Sequence, residues 1–314
     1  MIKNFHTGII AACTAIILTA ASCTDDIENY APGGGQLTSV NFYGVSQTFP
    51  LYPQINGKYP GIGIFVDTIP FRWATINNDL SARVPYFEFE GSATTGTYPF
   101  LSADANALLY MDVPSGNKTI GFNLVIASQG ASVVHLPIVS LLDTTVLLPA
   151  GGHQIIYFTD TPAAEGAIAS YRLVQAEQPR RTAIEDGKVS VRFVHLSADA
   201  GNFNVMLLKP DGTETPVELS REMTFGKYSD YVALTPAGNE QFGQLVLNVY
   251  VAGREDPLVV GIPSEAGHSF EVLLTGLSQS HERRIITSVK EGAVPEYTKV
   301  TLPQSLKTIV RQTY

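Results

Sequence analysis

Three polar residues spaced two apart, His195, Ser197 and Asp199, have the side-chain types of a nucleophilic triad. In a triad the nucleophile, the base and the orienting carboxylate converge in space, and they usually come from distant segments. Residues two apart at the end of one strand do not readily line up in that relay. We therefore expect a structural turn, in which the Asp199 carboxylate accepts backbone N–H groups, Ser197 acts from the other side, and His195 fastens the turn to the sheet. A metal or ligand role for the three residues is the alternative.

Two carboxylates, Glu88 and Glu90, are the next candidates for acid–base chemistry. Glycoside hydrolysis needs two carboxyl groups on facing walls of a cleft, about 5–9.5 Å apart. Neighbours on one strand face more often form a solvated surface. The sequence contains no His-Glu-x-x-His, Gly-x-Ser-x-Gly or Walker-type motif, so we expect neither a catalytic site nor a bound metal or cofactor.

The start of the chain has the pattern of an export signal. Lys3 precedes an apolar run over residues 8–21, and small residues then lead into Cys23. The run is shorter than the ~20 residues of a spanning helix. It resembles a bacterial lipoprotein signal, which implies cleavage after residue 22 and acylation of Cys23 by lipid. The residues before Cys13 match the consensus of that signal somewhat better, but cleavage there leaves too few apolar residues before the cleavage site.

The mature chain is then acidic and without a free thiol. Residues 23–37 are acidic and glycine-rich, which predicts a flexible tether. Their acidic cluster, residues 25–28, resembles the signal that places Bacteroidetes lipoproteins on the exterior of the outer membrane, although a solvated linker has the same composition. The net charge of −9 argues against nucleic acid as a partner.

From Val40 onward the sequence alternates between apolar and polar residues, as expected of half-buried strands. In residues 189–193, Val189, Val191 and Phe193 share one face, while Ser190 and Arg192 share the other. Turn residues separate the strands, as in the Lys-Pro-Asp-Gly of 209–212. The pattern predicts an all-β chain of sandwich type.

An internal repeat predicts two copies of one β-domain. Residues 231–251 parallel 110–126, residues 260–274 parallel 146–158, and residues 62–67 match 203–207. We place the first β-sandwich at 38–178, the second at 187–291 and a C-terminal extension at 292–314. In the extension, Pro303 predicts the start of a short helix with Leu306, Ile309 and Val310 on one side.

The second copy resembles a known family. Residues 191–200, Val-Arg-Phe-Val-His-Leu-Ser-Ala-Asp-Ala, are similar to the opening of domain of unknown function four-three-nine-seven, and Phe225-Gly226, Tyr231-Val232 and Pro236-Ala237-Gly238 match its later elements. The resemblance covers residues 188–289 well and 39–177 weakly. It implies tandem immunoglobulin-like β-sandwiches in an exported or surface bacterial protein, and it implies no reaction.

Aromatic residues crowd the extra segment of the first copy. Phe71, Trp73, Tyr86 and Tyr98 lie there, and Trp73 is the only tryptophan of the chain. Exposed Trp and Tyr recognise partners because a flat apolar face carries a polar tip, although sandwich cores also use aromatic residues. The leading hypothesis is a non-catalytic binding module of the outer membrane that recognises an extracellular glycan or an envelope protein. A polysaccharide- or peptide-processing hydrolase and a passive spacer or fimbrial-type subunit are the alternatives.

Overall fold

The computed structural model describes residues 36–55, 60–67, 69–70, 86–87, 97–98, 110–128, 134–178, 184–290 and 294–313. For residues 69–70, 86–87, 97–98, 126–128, 134–138 and 290 the description covers the backbone only. The signal, Cys23, most of the tether, and the Phe71, Trp73, Glu88 and Glu90 positions lie outside the described residues. Within the described part, no helix is both long enough and apolar enough to cross a bilayer.

The fold is all-β, which confirms the predicted class. Apart from one turn of 3-10 helix at Phe49–Leu51, the elements described are strands. The first half contains β1 (Leu37–Gly44), β2 (Pro60–Val66), β3 (Ile69–Pro70), β4 (Tyr86–Phe87), β5 (Thr97–Tyr98), β6 (Met111–Pro114), β7 (Gly116–Ser128), β8 (Val134–Leu148), β9 (His153–Asp160) and β10 (Tyr171–Gln178). The second half contains β11 (Val189–His195), β12 (Phe203–Leu208), β13 (Glu214–Pro216), β14 (Val232–Leu234), β15 (Gln244–Val251), β16 (Leu258–Pro263), β17 (Ser269–Thr275), β18 (His281–Lys290), β19 (Val294–Leu302) and β20 (Lys307–Gln312).

The strands of the described ranges form four sheets and one separate hairpin. Sheet 1 has the order β10-β9-β1-β5, with β6 also paired to β1, and sheet 2 has the order β3-β2-β7-β8, with β4 also paired to β2. Sheet 3 has the order β14-β11-β17-β20, and sheet 4 has the order β13-β12-β15-β16. Strands β18 and β19 pair with each other and form a hairpin, which we call the arm.

The two halves share their strand order. In sheet 1, β1 runs parallel to β9 and antiparallel to β6, and in sheet 3, β11 runs parallel to β17 and antiparallel to β14. The order β2-β7-β8 of sheet 2 likewise corresponds to β12-β15-β16 of sheet 4. The immunoglobulin-like class and the domain boundaries stay predictions.

Three apolar clusters lie between the sheets. The first contains residues of sheets 1 and 2, and the second contains residues of sheets 3 and 4. A third joins the outer faces of sheets 1 and 3 and includes Tyr43, Tyr157, Val194 and Leu273. Strand β11 is consequently buried along its whole length. The expectation of a half-buried strand was wrong here, because sheet 1 covers its polar face, including Arg192.

The C-terminal segment is a strand, so the predicted helix after Pro303 was wrong. Strand β20 pairs antiparallel with β17 and is an edge strand of sheet 3. Leu306 and Val310 pack against the second cluster, whereas Ile309 packs against the third. A strand that packs on both faces carries apolar residues on both faces. Some of these residues then lie three and four positions apart, as Ile309 and Val310 do from Leu306, which is also the spacing of an apolar helix face.

The arm belongs to the second half in sequence but packs on the first half. Ile285 and Ile286 are buried in the first cluster, with Val289 and Val300 partly buried beside them. Burying an isoleucine side chain stabilises a fold by about 1.5–3 kcal/mol. The first core is therefore completed by residues that lie between β17 and β20 of sheet 3 in the chain.

Candidate functional site

The aromatic segment of the first half is attached to two different sheets. Strand β4 pairs with β2 of sheet 2, with Tyr86 opposite Gly63, and β5 pairs with β1 of sheet 1, with Tyr98 opposite Phe42. Phe71 and Trp73 lie outside the described residues, and for Tyr86 and Tyr98 the backbone alone is described. The pairings hold both strands of this segment on the same side of the first half.

That side is opposite to the edge formed by β8 and β10. Strands β8 and β10 are the outer strands of sheets 2 and 1, and β4 and β5 lie beyond β2 and β1 at the other end of each strand order. The described strands of the segment that carries the predicted binding residues thus lie at one edge of the sandwich, where loops commonly carry function.

An open groove of about 470 Å³ lies at the opposite edge, between β8 and β10. Its polar lining comes from Thr144, Thr145, Thr161, Arg172 and Gln175. The Arg172 guanidinium lies 5.2 Å from the ring centre of Phe225 in the second half. Hydroxyl, amide and guanidinium groups beside apolar side chains can hydrogen-bond a polar ligand. No pattern in the sequence predicts this groove, because its walls are the edge strands β8 and β10, which are brought together only by the stacking of two sheets.

His195, Ser197 and Asp199 do not converge on a reacting atom. His195 Nε2 lies 3.0 Å from the carbonyl oxygen of Gly201, in the loop that follows its own strand. The Ser197 hydroxyl donates to the Gly276 carbonyl at 2.7 Å and, more weakly, to Asp199 at 3.3 Å. Burial lowers the pKa of His195, which favours the neutral imidazole. The arrangement fastens loops together and contains no nucleophile–base pair.

The Asp199 carboxylate is bound by a second segment of the chain, the loop after β17. It accepts hydrogen bonds from the backbone N–H groups of Ser278 at 2.8 Å and Gln279 at 3.2 Å, and from the Ser278 hydroxyl at 2.9 Å. His281 Nε2 lies 2.8 Å from the same carboxylate. Burial alone would raise the pKa of Asp199, but these hydrogen bonds outweigh it and the pKa is lowered. The predicted backbone N–H donors to Asp199 come from residues 79 and 80 positions further along the chain.

His281 links this cluster to the first half. Its Nδ1 lies 3.4 Å from the carboxylate of Glu165, which also accepts the backbone N–H of Glu282. That backbone hydrogen bond is the main reason why the pKa of Glu165 is lowered. Both imidazole nitrogens thus face carboxylates. The cluster joins the 161–170 loop, the start of the arm and the turn after β11.

A buried charge network lies between sheets 1 and 3. The Arg192 guanidinium forms a salt bridge with Glu271 and donates to the Glu177 carbonyl at 2.5 Å and to the Gln178 side chain at 2.9 Å. The Tyr157 hydroxyl donates to the other oxygen of Glu271 at 2.8 Å. Burial alone would lower the pKa of Arg192, but Glu271 raises it, and burial followed by Glu271 raises the pKa of Tyr157.

Arg311 is the second cation of this network. Its Nη1 lies 3.9 Å from the Glu271 carboxylate, and its Nη2 donates to the Asn41 side chain at 3.1 Å. Its guanidinium carbon lies 3.8 Å from the ring centre of Tyr43. One buried carboxylate therefore faces two buried guanidinium groups, with partners from both halves of the chain. This network fixes the halves against each other.

Neither a protein-family model nor a curated protein matches the chain. The resemblance to domain of unknown function four-three-nine-seven stays a prediction. Among the residues described, no group of three or more His, Cys, Asp or Glu side chains is placed to hold a metal ion.

Proposed function

We propose that this protein is a lipid-anchored binding protein on the exterior of a bacterial outer membrane, and that it binds an extracellular glycan or an envelope protein without catalysing a reaction. The observation that carries the proposal is the attachment of the aromatic segment through β4 to sheet 2 and through β5 to sheet 1. A segment held at two points on a rigid sandwich presents its side chains with less loss of conformational freedom on binding.

The use of the titratable side chains supports a binding role. Asp199, His281 and Glu165 bind one another and nearby backbone groups, and Glu271 neutralises buried guanidinium groups. These contacts stabilise loops and the contact between the halves. A catalytic base must instead reach a proton of the substrate or of a nucleophile.

The anchor is tested by fatty-acid labelling of cells that produce the wild-type chain and Cys23→Ala. We expect label and membrane sedimentation for the wild-type protein and neither for the variant. A Cys13→Ala variant is the matched control and should be labelled like the wild type. Label that persists in Cys23→Ala would contradict the assignment of Cys23.

The binding surface is tested with detergent-solubilised full-length protein on glycan arrays and in cross-linking of envelope proteins. Trp73→Ala should weaken retention of the partner, because it removes the largest aromatic side chain of the segment. Tyr297→Ala, at a site on the arm that is 39% exposed, should leave retention unchanged. Equal retention by both variants, or no partner in either assay, would overturn the proposal.

A further inference from the structure

The turn between β14 and β15 has an unusual residue at its tip. Gln241 and Gln244 exchange backbone hydrogen bonds of 2.7 and 3.0 Å, so Phe242 and Gly243 are the two central residues. Both have positive φ, 52° and 74°, the signature of a type I′ turn. The exposure of Phe242 is 105% of its reference value, so its ring is fully in solvent.

Neither local geometry nor packing explains a phenylalanine at this position. The first central residue of such a turn is most often Asn, Asp or Gly, because a bulky side chain is strained at positive φ. The ring gains no burial that would offset the strain. A strained and exposed aromatic side chain points to a contact outside the chain.

The described chain begins at one identifiable end of the first half. The carbonyl of Gln36 accepts a hydrogen bond from the Ser115 N–H at 2.8 Å, and the Gly151 N–H donates to Leu37 at 2.7 Å. His153, at the start of β9, pairs with Gln178, at the end of β10. The first described residues, Gln36 and Leu37, therefore lie at the same end of the first half as the end of β10.

The Phe242 turn lies at the corresponding end of the second half. Gly243 accepts a hydrogen bond from the Ser264 N–H at 3.1 Å, and the Gly267 N–H donates to Lys188, just before β11, at 2.9 Å. The turn thus lies beside the start of β11.

These two ends lie on the same side of the protein. Arg192, within β11, donates a hydrogen bond to the side chain of Gln178, at the end of β10. Further along the chain, the carbonyl of Leu196, just after β11, accepts a hydrogen bond from Thr159, near the end of β9. Strands β9 and β11 therefore run in the same direction across the contact between the halves. The start of β11, with the Phe242 turn, and the start of β9, with the tether, share one end.

We propose that Phe242 inserts into the interfacial region of the bilayer that holds the lipid anchor. The inference rests on the proposed acylation of Cys23. Gln36, where the described chain begins, follows Cys23 by 13 positions. A chain of that length spans at most about 45 Å when fully extended, so this end of the protein stays near the bilayer.

The charges around the turn indicate the kind of lipid. Glu240, two residues before Phe242, and Glu265, which follows the Ser264 that bonds Gly243, are exposed, and carboxylates repel an anionic surface. An aromatic ring is favourable at the boundary between headgroups and acyl chains. The occupant that fits this end is therefore a lipid surface of low net charge, on whichever face of the outer membrane the anchor lies.

The test uses tryptophan as a depth reporter in the full-length acylated protein. Trp73→Phe removes the only native tryptophan, and Phe242→Trp then places a single reporter at the turn. The control is Ile168→Trp in the same background, because Ile168 is 42% exposed and lies in the loop between the end of β9 and the start of β10, at the opposite end. Both proteins are reconstituted in phosphatidylcholine vesicles that contain brominated lipid.

We expect a blue-shifted emission and several-fold stronger quenching for the reporter at 242 than for the reporter at 168. Equal quenching in a protein that carries the fatty-acid label would overturn the inference and leave the anchor intact. Absence of the fatty-acid label would overturn the proposed anchor and this inference with it. Cross-linking of position 242 to an envelope protein without lipid quenching would assign the turn to a protein contact and overturn the inference.

A second variant separates membrane contact from folding. Phe242→Asn replaces the strained residue with one that tolerates positive φ. We therefore expect unfolding at a higher urea concentration and less penetration of the turn into the vesicle bilayer. A lower midpoint in Phe242→Asn would contradict the strain argument.

Discussion

Glu271→Gln is the substitution that tests the contact between the halves most sharply. The Glu271 carboxylate is fully buried and faces Arg192 and Arg311, which are also buried. Glutamine has the same shape and keeps an oxygen that can accept a hydrogen bond from Tyr157 or Arg192. The substitution therefore removes the negative charge with little change in packing.

The expected cost follows from the two uncompensated cations. Breaking a buried ion pair by removing one partner typically destabilises a protein by about 3–5 kcal/mol, because a charge is left buried without its counterion. We expect a loss of about 3–5 kcal/mol in the free energy of unfolding. The assay is urea unfolding, with the slope compared between variants to check that the unfolding transition is of the same kind.

The matched control is Asp67→Asn at the surface ion pair with Lys118, whose atoms lie 2.7 Å apart. Asp67 has a φ of 51°, which asparagine tolerates. An exposed pair contributes about 0.2–1 kcal/mol. A Glu271→Gln loss no larger than that of the control would refute the view that the ion pairs of Glu271 with Arg192 and Arg311, all on sheet 3, are buried beneath sheet 1.

Three further predictions concern the loops and the arm. The pKa of Asp199 is lowered in the folded protein, so its contribution to stability is present above its unfolded pKa of about 3.9 and is lost as the pH falls through the folded pKa. Asp199→Asn should therefore reduce the loss of unfolding free energy between neutral and acidic pH. A loss equal to that of the wild type would contradict this. Gly276→Ala places a Cβ 2.2 Å from the Ser305 carbonyl oxygen, whereas Gly253→Ala, at a similar positive φ, meets nothing within 4 Å. Gly253→Ala should lower the free energy of unfolding by about 1–2 kcal/mol, and Gly276→Ala should lower it clearly more, as measured by urea unfolding. Equal losses for the two variants would refute the close contact at Gly276. Ile285→Ala should destabilise the protein by about 2–5 kcal/mol, and a thermal or urea midpoint equal to that of the wild type would show that the arm does not complete the first core.

The strands could be predicted from alternation because their side chains follow a period of two whether or not a partner sheet is known. What alternation cannot show is which polar face becomes buried. Arg192 has the sequence signature of a solvent-facing residue, yet sheet 1 covers it and Glu271 compensates its charge. The C-terminal strand was mistaken for a helix for the same reason, since Ile309 and Val310 contact clusters on opposite faces.

The candidate site was only partly accessible from the sequence. The polar residues of the turn after β11 could be assigned a structural role because residues two apart on one strand end do not form a relay. Their partners could not be foreseen, because Ser278 and His281 approach Asp199 only when the parallel strands β11 and β17 pair. The groove between β8 and β10 depends in the same way on which strands lie at the edges.

The central claim is that the anchored protein binds a partner through its aromatic segment, and photo-cross-linking on intact cells tests it most directly. A photoreactive amino acid at position 73 of the full-length protein should form an adduct with an extracellular glycan or an envelope protein, whereas the same group at position 297 on the arm should form none. Adducts of equal yield at both positions, or no adduct at position 73 in a protein that carries the lipid anchor, would contradict the claim.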